Sequence, residues 1–329
     1  MAKQALTTSK FLASPSHLAV VAAKYSCGAP IGGAEHGPDA LIDAGIFSEI
    51  ESKTKYKCTI DHIAQSGTFG NTNEAHDADP DINGMKRPRA VSLASKQISE
   101  CVYAHAREGK FVMTLGGDHS IGIGTVTGIA RAIRERFGGS ELSVLWIDAH
   151  ADINTPETSP SRRIHGMPVA FASGLAQSPT GHSVFDWITA SHLINLKRFV
   201  YIGLRDVDEA EERIIAENGI KAYSMDDVRR YGIVKVMGLA LEYLGDETPI
   251  HVSYDIDSLD PEWAPSTGFP VTPGLSLEEG IHISRRLHAT GNLVAMDLVE
   301  VNPLVEPGKL GTTVKSAGSV IQAALGVAV

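Results

Sequence analysis

The sequence predicts a doubly wound α/β fold. Short apolar segments of strand length recur along the chain and alternate with segments of helical pattern. The strand segments are apolar on both faces, as is typical of central strands in a parallel sheet. No Pro- or Ser-rich linker divides the 329 residues, so we expect a single domain over 1–329.

The predicted elements follow one another in a regular order. Apolar runs such as "HLAVVAA" and "LSVLWID" predict strands at 17–23, 111–116, 142–148, 198–204, 249–255 and 292–298. Helical patterns predict helices at 89–109, 124–138, 208–219, 226–245, 276–291 and 312–328. The polar stretch 66–88 predicts a long surface loop. This alternation is what a doubly wound sheet requires.

Composition argues against two classes of partner. The chain carries 39 acidic and 29 basic residues, a net charge of -10, and no basic run. Such a chain is poorly suited to nucleic acid or an anionic membrane surface. Its early apolar run at 18–23 is too short to cross a bilayer. We therefore expect no nucleic-acid partner, no membrane and a cytoplasmic protein.

The cysteines support the same compartment. Cys27, Cys58 and Cys101 are odd in number and show no CxxC motif or Cys/His cluster in the sequence. This pattern indicates reduced thiols. An intersubunit disulfide stays open at this point.

Charged and imidazole side chains follow three of the predicted strands at the point where each strand ends. They stand in "TLGGDHS", "IDAHAD" and "SYDIDSLDP". Parallel strands gather their functional groups at this edge, so we expect the side chains to share one crevice. The candidates are His119, Asp148, His150, Asp152, Asp255 and Asp257. Within the same motifs, Asp118 and Asp260 are interpreted as cap or turn residues.

The convergence of four carboxylates and two imidazoles predicts a metal centre. Buried carboxylates that lie close together repel one another and lose hydration, and multivalent cations offset both costs. Oxygen-rich ligands with imidazole suit manganese better than a structural zinc ion, which prefers four ligands with sulfur. Six ligands exceed what one open catalytic metal needs, but they match two ions that share bridging carboxylates.

The order of the motifs resembles the arginases, within the ureohydrolase family of binuclear manganese hydrolases. The matching segments are "GGDHS", "DAHADINTP", "IHGMPVAF", "YIGLRDVD", "SYDIDSLDP" and "DLVEVNP", and the match runs from about Ala19 to the end. The resemblance implies a three-layer α/β/α domain with a mostly parallel eight-stranded sheet, assembled as a homotrimer or a dimer of trimers. It also implies hydrolysis of a guanidinium group to urea and an amine by a hydroxide that bridges two Mn²⁺ ions.

The resemblance assigns roles residue by residue. One ion would take His119, Asp148, Asp152 and Asp255. The other ion would take His150, Asp148, Asp255 and Asp257, so that Asp148 and Asp255 bridge. Asp152, with His165 as a proton shuttle and Glu300 as partner of the guanidinium, completes the catalytic set. Contacts to the rest of the substrate would come from Asn154, Ser159, Ser161, Arg163, Asp208, Glu211 and Phe269.

Four residues at three places depart from the family pattern. Arg163 stands where the family has Asn, and Phe269 stands where it has Thr near the metals. Glu278 and Glu279 replace a basic–acidic pair at the trimer contact. A bulky ring near the metals can obstruct the substrate, so we expect weak or absent hydrolysis of L-arginine despite a competent metal pair. The alternatives are a metal-binding protein of the same fold with little or no arginase activity, and a ureohydrolase for another guanidine.

Overall fold

A single eight-stranded sheet runs through the computed structural model, which describes residues 9–64 and 79–329. Its strands are β1 His17–Lys24, β2 Lys57–Ala64, β3 Phe111–Gly116, β4 Ser143–Ile147, β5 Phe199–Leu204, β6 Lys221–Ser224, β7 Ile250–Asp255 and β8 Leu293–Val299. Their order across the sheet is β2-β1-β3-β8-β7-β4-β5-β6, and all neighbours are parallel. The predicted fold is confirmed, and the sheet is wholly rather than mostly parallel.

Helices cover both faces of the sheet and make the outer two layers. In chain order they are α1 Gly37–Asp43, α2 Ile46–Lys53, α3 Pro88–Arg107, α4 Gly122–Arg136, α5 Pro168–Ser173, α6 Glu209–Asn218, α7 Met225–Tyr231, α8 Ile233–Leu244, α9 Leu277–Thr290 and α10 Leu310–Ala324. Helices α3 to α6 pack on one face. Helices α1, α2 and α7 to α10 pack on the other face.

The strands are apolar on both faces because each face contacts a different helical layer. In β4, Val144 and Trp146 join the core beneath α3 to α6. Leu145 and Ile147 join the core on the opposite side. All four side chains are buried, which is why the sequence shows an unbroken apolar run here rather than an alternation.

Some element predictions need correction. The expected helix 226–245 is two helices, because Gly232 takes a φ of 78° that ends α7 before α8 begins. Strands β2 and β6 were not predicted. β6 has only four residues, and β2 lies at the sheet edge, where most of its side chains are exposed and the apolar signal is weak.

The loop expected at 66–88 is only partly covered by the structure. Residues 66–78 lie outside the described residues. Residues 79–87 are less exposed than a surface loop would be, because Ile82 and Met85 are buried and form a short antiparallel bridge. Asp79 then accepts hydrogen bonds from the backbone N–H groups of Arg89 and Ala90 at the start of α3.

The strand order creates a crevice at one edge of the sheet. The connection from β3 to β4 skips two positions, which β8 and β7 fill later in the chain. The carboxyl ends of β3, β8, β7 and β4 are therefore neighbours, although they come from distant parts of the sequence. Open parallel sheets bind ligands outside such strand ends. Within 9–64 and 79–329, the structure contains no helix with the length and apolar character that crossing a membrane requires.

Candidate metal centre and substrate pocket

The structure brings the predicted metal ligands together at the carboxyl ends of β3, β4 and β7. The Nδ1 atom of His119 lies 3.0 Å from an oxygen of Asp148 and 3.0 Å from an oxygen of Asp255. An oxygen of Asp152 lies 3.2 Å from the same atom. His119, Asp148 and Asp255 offer ligand atoms that are all within 4.8 Å of one another. One group of side chains thus surrounds a volume suited to a single ion.

A second group shares Asp148 with the first. The Nδ1 atom of His150 lies 3.4 Å from Oδ1 of Asp148 and 3.2 Å from Oδ2 of Asp257. These three residues also place their ligand atoms within 4.8 Å of one another. The two adjoining groups share Asp148, one of the two carboxylates expected to bridge, whereas Asp255 belongs at this distance only to the first group.

Local hydrogen bonds explain why the ligands occur at every second residue. Oδ1 of Asp148 accepts the backbone N–H of His150 at 2.8 Å. Oδ1 of Asp255 accepts the backbone N–H of Asp257 at 2.8 Å. Each aspartate therefore forms a turn with the residue two positions on, and both side chains of the turn face the crevice. The alternate spacing is a property of the chain where it leaves the strand.

The close approach of two segments requires a glycine before His119. A Cβ atom on Gly117 would lie 1.5 Å from the carbonyl oxygen of Tyr25. The next residue, Asp118, accepts the backbone N–H groups of Gly28 at 2.8 Å and Ser120 at 2.8 Å. The structure thus assigns Asp118 the capping role expected from the sequence, and Asp260 likewise accepts backbone N–H groups rather than facing the ligands.

A buried network orients His119. Its Nε2 atom lies 2.9 Å from Oγ of Ser253, which in turn donates to Oδ1 of Asp297 at 2.6 Å. In the neutral imidazole that a metal requires, the Ser253 oxygen can accept the Nε2 proton, which leaves the Nδ1 lone pair directed at three carboxylates. Among the described residues, Nδ1 is one of the buried side-chain atoms that make no hydrogen bond. A cation satisfies such an atom, so the donor set fits a metal.

The network was not predicted from the sequence. Ser253 stands two residues before Asp255 in an apolar strand, and Asp297 stands inside another apolar strand, "NLVAMDL". A fully buried Asp within a core strand is a weak signal that could have indicated a support for a ligand.

Electrostatics also point to a cation. Burial, together with the neighbouring carboxylates, raises the pKa of Asp255 well above its usual range. Burial and the Asp148 charge do the same to the pKa of Asp152. Burial alone would lower the pKa of His119, but the carboxylates of Asp148 and Asp255 raise it well above its ordinary value. Without added positive charge, ionisation of these buried carboxylates close together is therefore electrostatically unfavourable.

A pocket of about 290 Å³ opens above the ligands. Six of the predicted substrate residues line it, namely Asn154, Ser159, Ser161, Asp208, Glu211 and Phe269. Arg163 is not among the described residues that line it. A larger cavity of about 600 Å³ near Arg205 and Met225 contains none of the predicted ligands. The smaller pocket is therefore the candidate substrate site.

Hydrogen bonds hold the mouth of the pocket in place. Nδ2 of Asn154 donates to Oδ2 of Asp208 at 2.9 Å. Glu211 accepts the backbone N–H of Asp208 at 3.1 Å and that of Ile153 at 3.1 Å. Burial raises the pKa of Glu211 to about 7. Glu211 therefore supports the loops that carry the polar groups, in addition to its place in the wall.

Phe269 forms one wall of the pocket close to two imidazoles. Its ring stacks on His165 with centroids 5.2 Å apart and an interplanar angle of 27°. It meets His150 edge-on with centroids 6.4 Å apart. Burial lowers the pKa of His165 to about 4, and His150 lowers it further in the same direction. The ring thus faces the space above the ligands, as the sequence suggested.

Glu300 places a buried carboxylate beside the ligands. Its Oε1 atom accepts the backbone N–H of His119 at 2.9 Å. Its backbone has a φ of 64°, and Asp152 has a φ of 52°, both in the left-handed region that non-glycine residues seldom adopt. Burial, with added repulsion from Asp255, raises the pKa of Glu300 well above its usual range.

One acidic residue of the pocket was missed in the sequence. Asp206 lines the pocket, and its Oδ2 atom lies 3.7 Å from Nε2 of His150. It stands two residues before Asp208 in "LRDVD", the same alternate spacing that marks the ends of β4 and β7. That spacing was the signal that could have identified it.

Comparison with known proteins agrees with this geometry. The family model described as "Arginase family" matches residues 16–326. A curated arginase from Coccidioides posadasii is 50% identical over 317 residues, which cover 96% of each chain. The crystal structure of arginase from Bacillus subtilis aligns with a TM-score of 0.80 at 31% identity, over 95% of this chain and 99% of that one. An Entamoeba histolytica arginase in complex with L-ornithine aligns with a TM-score of 0.82 at 29% identity, again over 95% of this chain and 99% of that one.

Proposed function

Since this chain belongs to the arginase family of metal-dependent ureohydrolases, we propose that it binds two manganese ions and hydrolyses L-arginine to urea and L-ornithine. The observation that supports the metal pair most directly is Nδ1 of His119, buried without a hydrogen bond among the oxygens of three aspartates. The relatives are arginases, so the alternative of a metal-binding protein without turnover is not favoured.

Each ion would have a mixed set of oxygen and imidazole ligands. The first ion would be held by His119, Asp148, Asp152 and Asp255. The second ion would be held by His150, Asp148, Asp255 and Asp257. Four carboxylates and two neutral imidazoles, without sulfur, suit manganese within the order of ligand preferences. When bound, the pair would polarise the substrate and make a shared water molecule nucleophilic near neutral pH.

Glu300 is positioned to recognise the guanidinium group. Its carboxylate is buried in the pocket, and burial together with repulsion from Asp255 raises its pKa well above the usual range. A substrate guanidinium would supply a compensating positive charge and donate paired hydrogen bonds to the carboxylate. The backbone N–H of His119 holds Oε1 in place, so the orientation of Glu300 does not depend on the substrate.

His165 is positioned to move a proton. Its imidazole lines the pocket, and its lowered pKa, about 4, keeps it neutral at physiological pH. A neutral imidazole can accept a proton on one nitrogen and donate the proton of the other. We assign His165 the transfer of protons between solvent and the leaving amine.

The far end of the pocket is suited to the amino-acid part of the substrate. Asn154, Ser159 and Ser161 offer polar groups for a carboxylate, whereas Asp208 and Glu211 offer charge for an amino group. Arg163 is outside the lining, so its replacement of an Asn changes the pocket less than the sequence suggested. Of these two differences from the family pattern, Phe269 is the one that lines the pocket the substrate would occupy.

We further propose a cytoplasmic homotrimer, or a dimer of trimers, in which the whole chain forms one domain. Strands from both halves of the sequence interleave, with β8 between β3 and β7, which supports the single domain. Free thiols at Cys58 and Cys101 support a reducing compartment. Glu279 accepts hydrogen bonds from the N–H and hydroxyl of Ser276 in its own helix cap, so only Glu278 is left to face a partner.

The test is metal analysis together with a urea assay. The purified chain, dialysed against Mn²⁺, should hold two ions and release urea from L-arginine, and chelation should abolish the release. His119→Asn should lose both metal and urea, whereas His182→Asn, a change at an exposed histidine, should lose neither. Two ions without urea from L-arginine would support the scaffold alternative, and urea release that survives chelation would contradict the proposal.

A further inference from the structure

A second cluster of potential metal ligands lies at the outer edge of the sheet. Asp61 comes from the edge strand β2, and Cys101 and His105 come from α3. Their ligand atoms all lie within 4.8 Å of one another, and Nε2 of His105 is 2.6 Å from Oδ2 of Asp61. Strand β1 separates β2 from β3, which carries the first ligand of the pocket described above. The two sites are therefore distinct.

Helix geometry places the sulfur and the imidazole side by side. Cys101 and His105 are four residues apart on α3, so they lie one turn apart on the same face. Cys101 packs against the apolar core beneath that helix. The side chains of His105 and Asp61 are 16% and 50% exposed, respectively. The cluster thus has a closed side at the sulfur and an open side toward solvent.

We propose that Asp61, Cys101 and His105 bind a further divalent cation of the thiophilic kind, with zinc as the natural example. One thiolate, one imidazole and one carboxylate are a donor set typical of zinc, and three protein ligands leave a fourth tetrahedral position for water. No ligand of the manganese pair is a sulfur atom, so the two sites differ in the metal they select.

Metal binding at this cluster requires the Cys101 thiol to lose its proton. Burial raises the pKa of the Cys101 thiol to about 11, and the charge of Asp61 adds to the effect. The thiol therefore keeps its proton until a cation arrives. When an ion binds, the S–H bond breaks, a sulfur–metal bond forms and the proton passes to solvent, so affinity should increase with pH.

Lys110 opposes the binding of a second positive charge. Its Nζ atom lies 3.4 Å from Nδ1 of His105 and 2.7 Å from Oε2 of Glu108. With the metal on Nε2, the neutral imidazole carries its proton on Nδ1, so Lys110 must turn away and keep only Glu108 as a partner. We therefore expect Lys110→Met to increase affinity at this site.

The sequence did not reveal this cluster. A single Cys and a single His four residues apart are common on helices, and Asp61 is 40 residues before Cys101. Only the packing of α3 on the edge of the sheet makes them neighbours.

Cadmium binding tests the site in the full chain with its manganese centre loaded, under reducing conditions. A thiolate bound to Cd²⁺ gives an ultraviolet charge-transfer band, and the oxygen and imidazole ligands of the manganese centre cannot produce it. We expect the band to saturate at one equivalent, to disappear in Cys101→Ser and to weaken strongly in His105→Gln. Zn²⁺ should compete with it.

Cys58→Ser is the matched control. Cys58 is also a half-buried free thiol, and burial raises its pKa to about 12. The band should persist in Cys58→Ser, and urea release by each Mn²⁺-loaded variant reports that it is folded. Absence of a band in the parent chain would overturn the proposal. So would a band that Cys101→Ser leaves intact, or one that His105→Gln leaves at full affinity.

Discussion

Two carboxylates of the pocket depend on unusual backbone conformations. Asp152 and Glu300 both have φ in the left-handed region, at 52° and 64°. For a residue with a Cβ atom this conformation costs on the order of 1 kcal/mol or more, and it persists where the surrounding structure imposes it. Both residues are buried; Glu300 directly follows β8, and Asp152 lies in the segment that follows β4. The fold thus accepts local strain to direct these carboxylates into the crevice.

Phe269 is the residue through which this chain should differ in rate from the family pattern. Its ring occupies the wall above His150 and stacks on His165, so it narrows the approach of the guanidinium. We expect Phe269→Thr to raise kcat/KM for L-arginine by about 10-fold, because small displacements of a reacting group have large effects on rate. Steady-state urea assays of Mn²⁺-loaded protein provide the measurement.

Arg163→Asn is the matched control for that change. It restores the family residue at the other departure but lies outside the pocket lining, so kcat/KM should change by less than about 2-fold, as for a surface substitution. Equal effects of the two substitutions, or a loss of rate in Phe269→Thr, would show that the ring does not obstruct the substrate.

Glu211 should make the stability of the metal-free chain depend on pH. Burial raises its pKa in the folded state to about 7, above the ordinary value of a Glu near 4.3. The folded state therefore binds this proton more tightly. Its stabilising contribution is complete below about pH 4 and is lost as pH rises toward 7. The loss amounts to about 3 kcal/mol across this window.

Glu211→Gln should remove this pH dependence. The amide keeps one acceptor for the backbone N–H groups of Ile153 and Asp208, and it does not titrate. Urea denaturation of chelator-treated protein between pH 4.5 and 7.5 should show similar stabilities at the acid end, and a progressive loss of stability of the parent relative to the variant as pH rises, by up to about 3 kcal/mol. A difference in the free energy of unfolding that is constant over this range would refute the assignment.

At the scale of elements, Gly232 divides one apolar helical pattern into α7 and α8. Its φ of 78° is in the left-handed region, so an added Cβ is strained even though no neighbour lies within 4 Å. Gly232→Ala should therefore destabilise the protein by about 1 kcal/mol. The denaturant midpoint of the Mn²⁺-loaded chain measures the effect.

Gly238, inside α8, is the natural comparison. A Cβ there also meets nothing within 4 Å, but the backbone is helical. Gly238→Ala should stabilise the protein by about 0.5–1 kcal/mol, because alanine loses less conformational freedom in a helix. If the two substitutions changed the free energy of unfolding in the same direction, the backbone conformation of Gly232 would not be the reason that α7 ends there.

At the scale of the whole molecule, we expect assembly into trimers. Light scattering at micromolar concentration should give three or six times the chain mass of 35.0 kDa. Glu278 is exposed at the start of α9, where the family pattern has a basic residue, so Glu278→Lys should make the trimer more resistant to dissociation on dilution if this position meets a partner subunit. Glu262→Lys, at another exposed acid, should not. A parent chain that is monomeric throughout would refute the trimer.

The sequence by itself determined the fold class and indicated the candidate metal ligands, because both depend on local properties of the chain. Segments that are apolar on both faces of a strand predicted the parallel sheet, and six of its eight strands were located. The candidate ligands His150 and Asp257 stand at fixed offsets from strand ends, and turn hydrogen bonds within two residues impose that spacing. Such interactions involve near neighbours, so the sequence displays them directly.

Tertiary structure alone decided which distant residues became neighbours. It placed Asp297 behind Ser253 and His119, kept Arg163 outside the pocket lining and brought Asp61 to Cys101. These contacts depend on the order of strands in the sheet and on the packing of helices across it. That packing is determined jointly by many side chains that are distant in sequence. They act through the hydrophobic effect, which does not specify particular pairs of residues. No local pattern marks such pairs, and for this reason they emerged only from the folded chain.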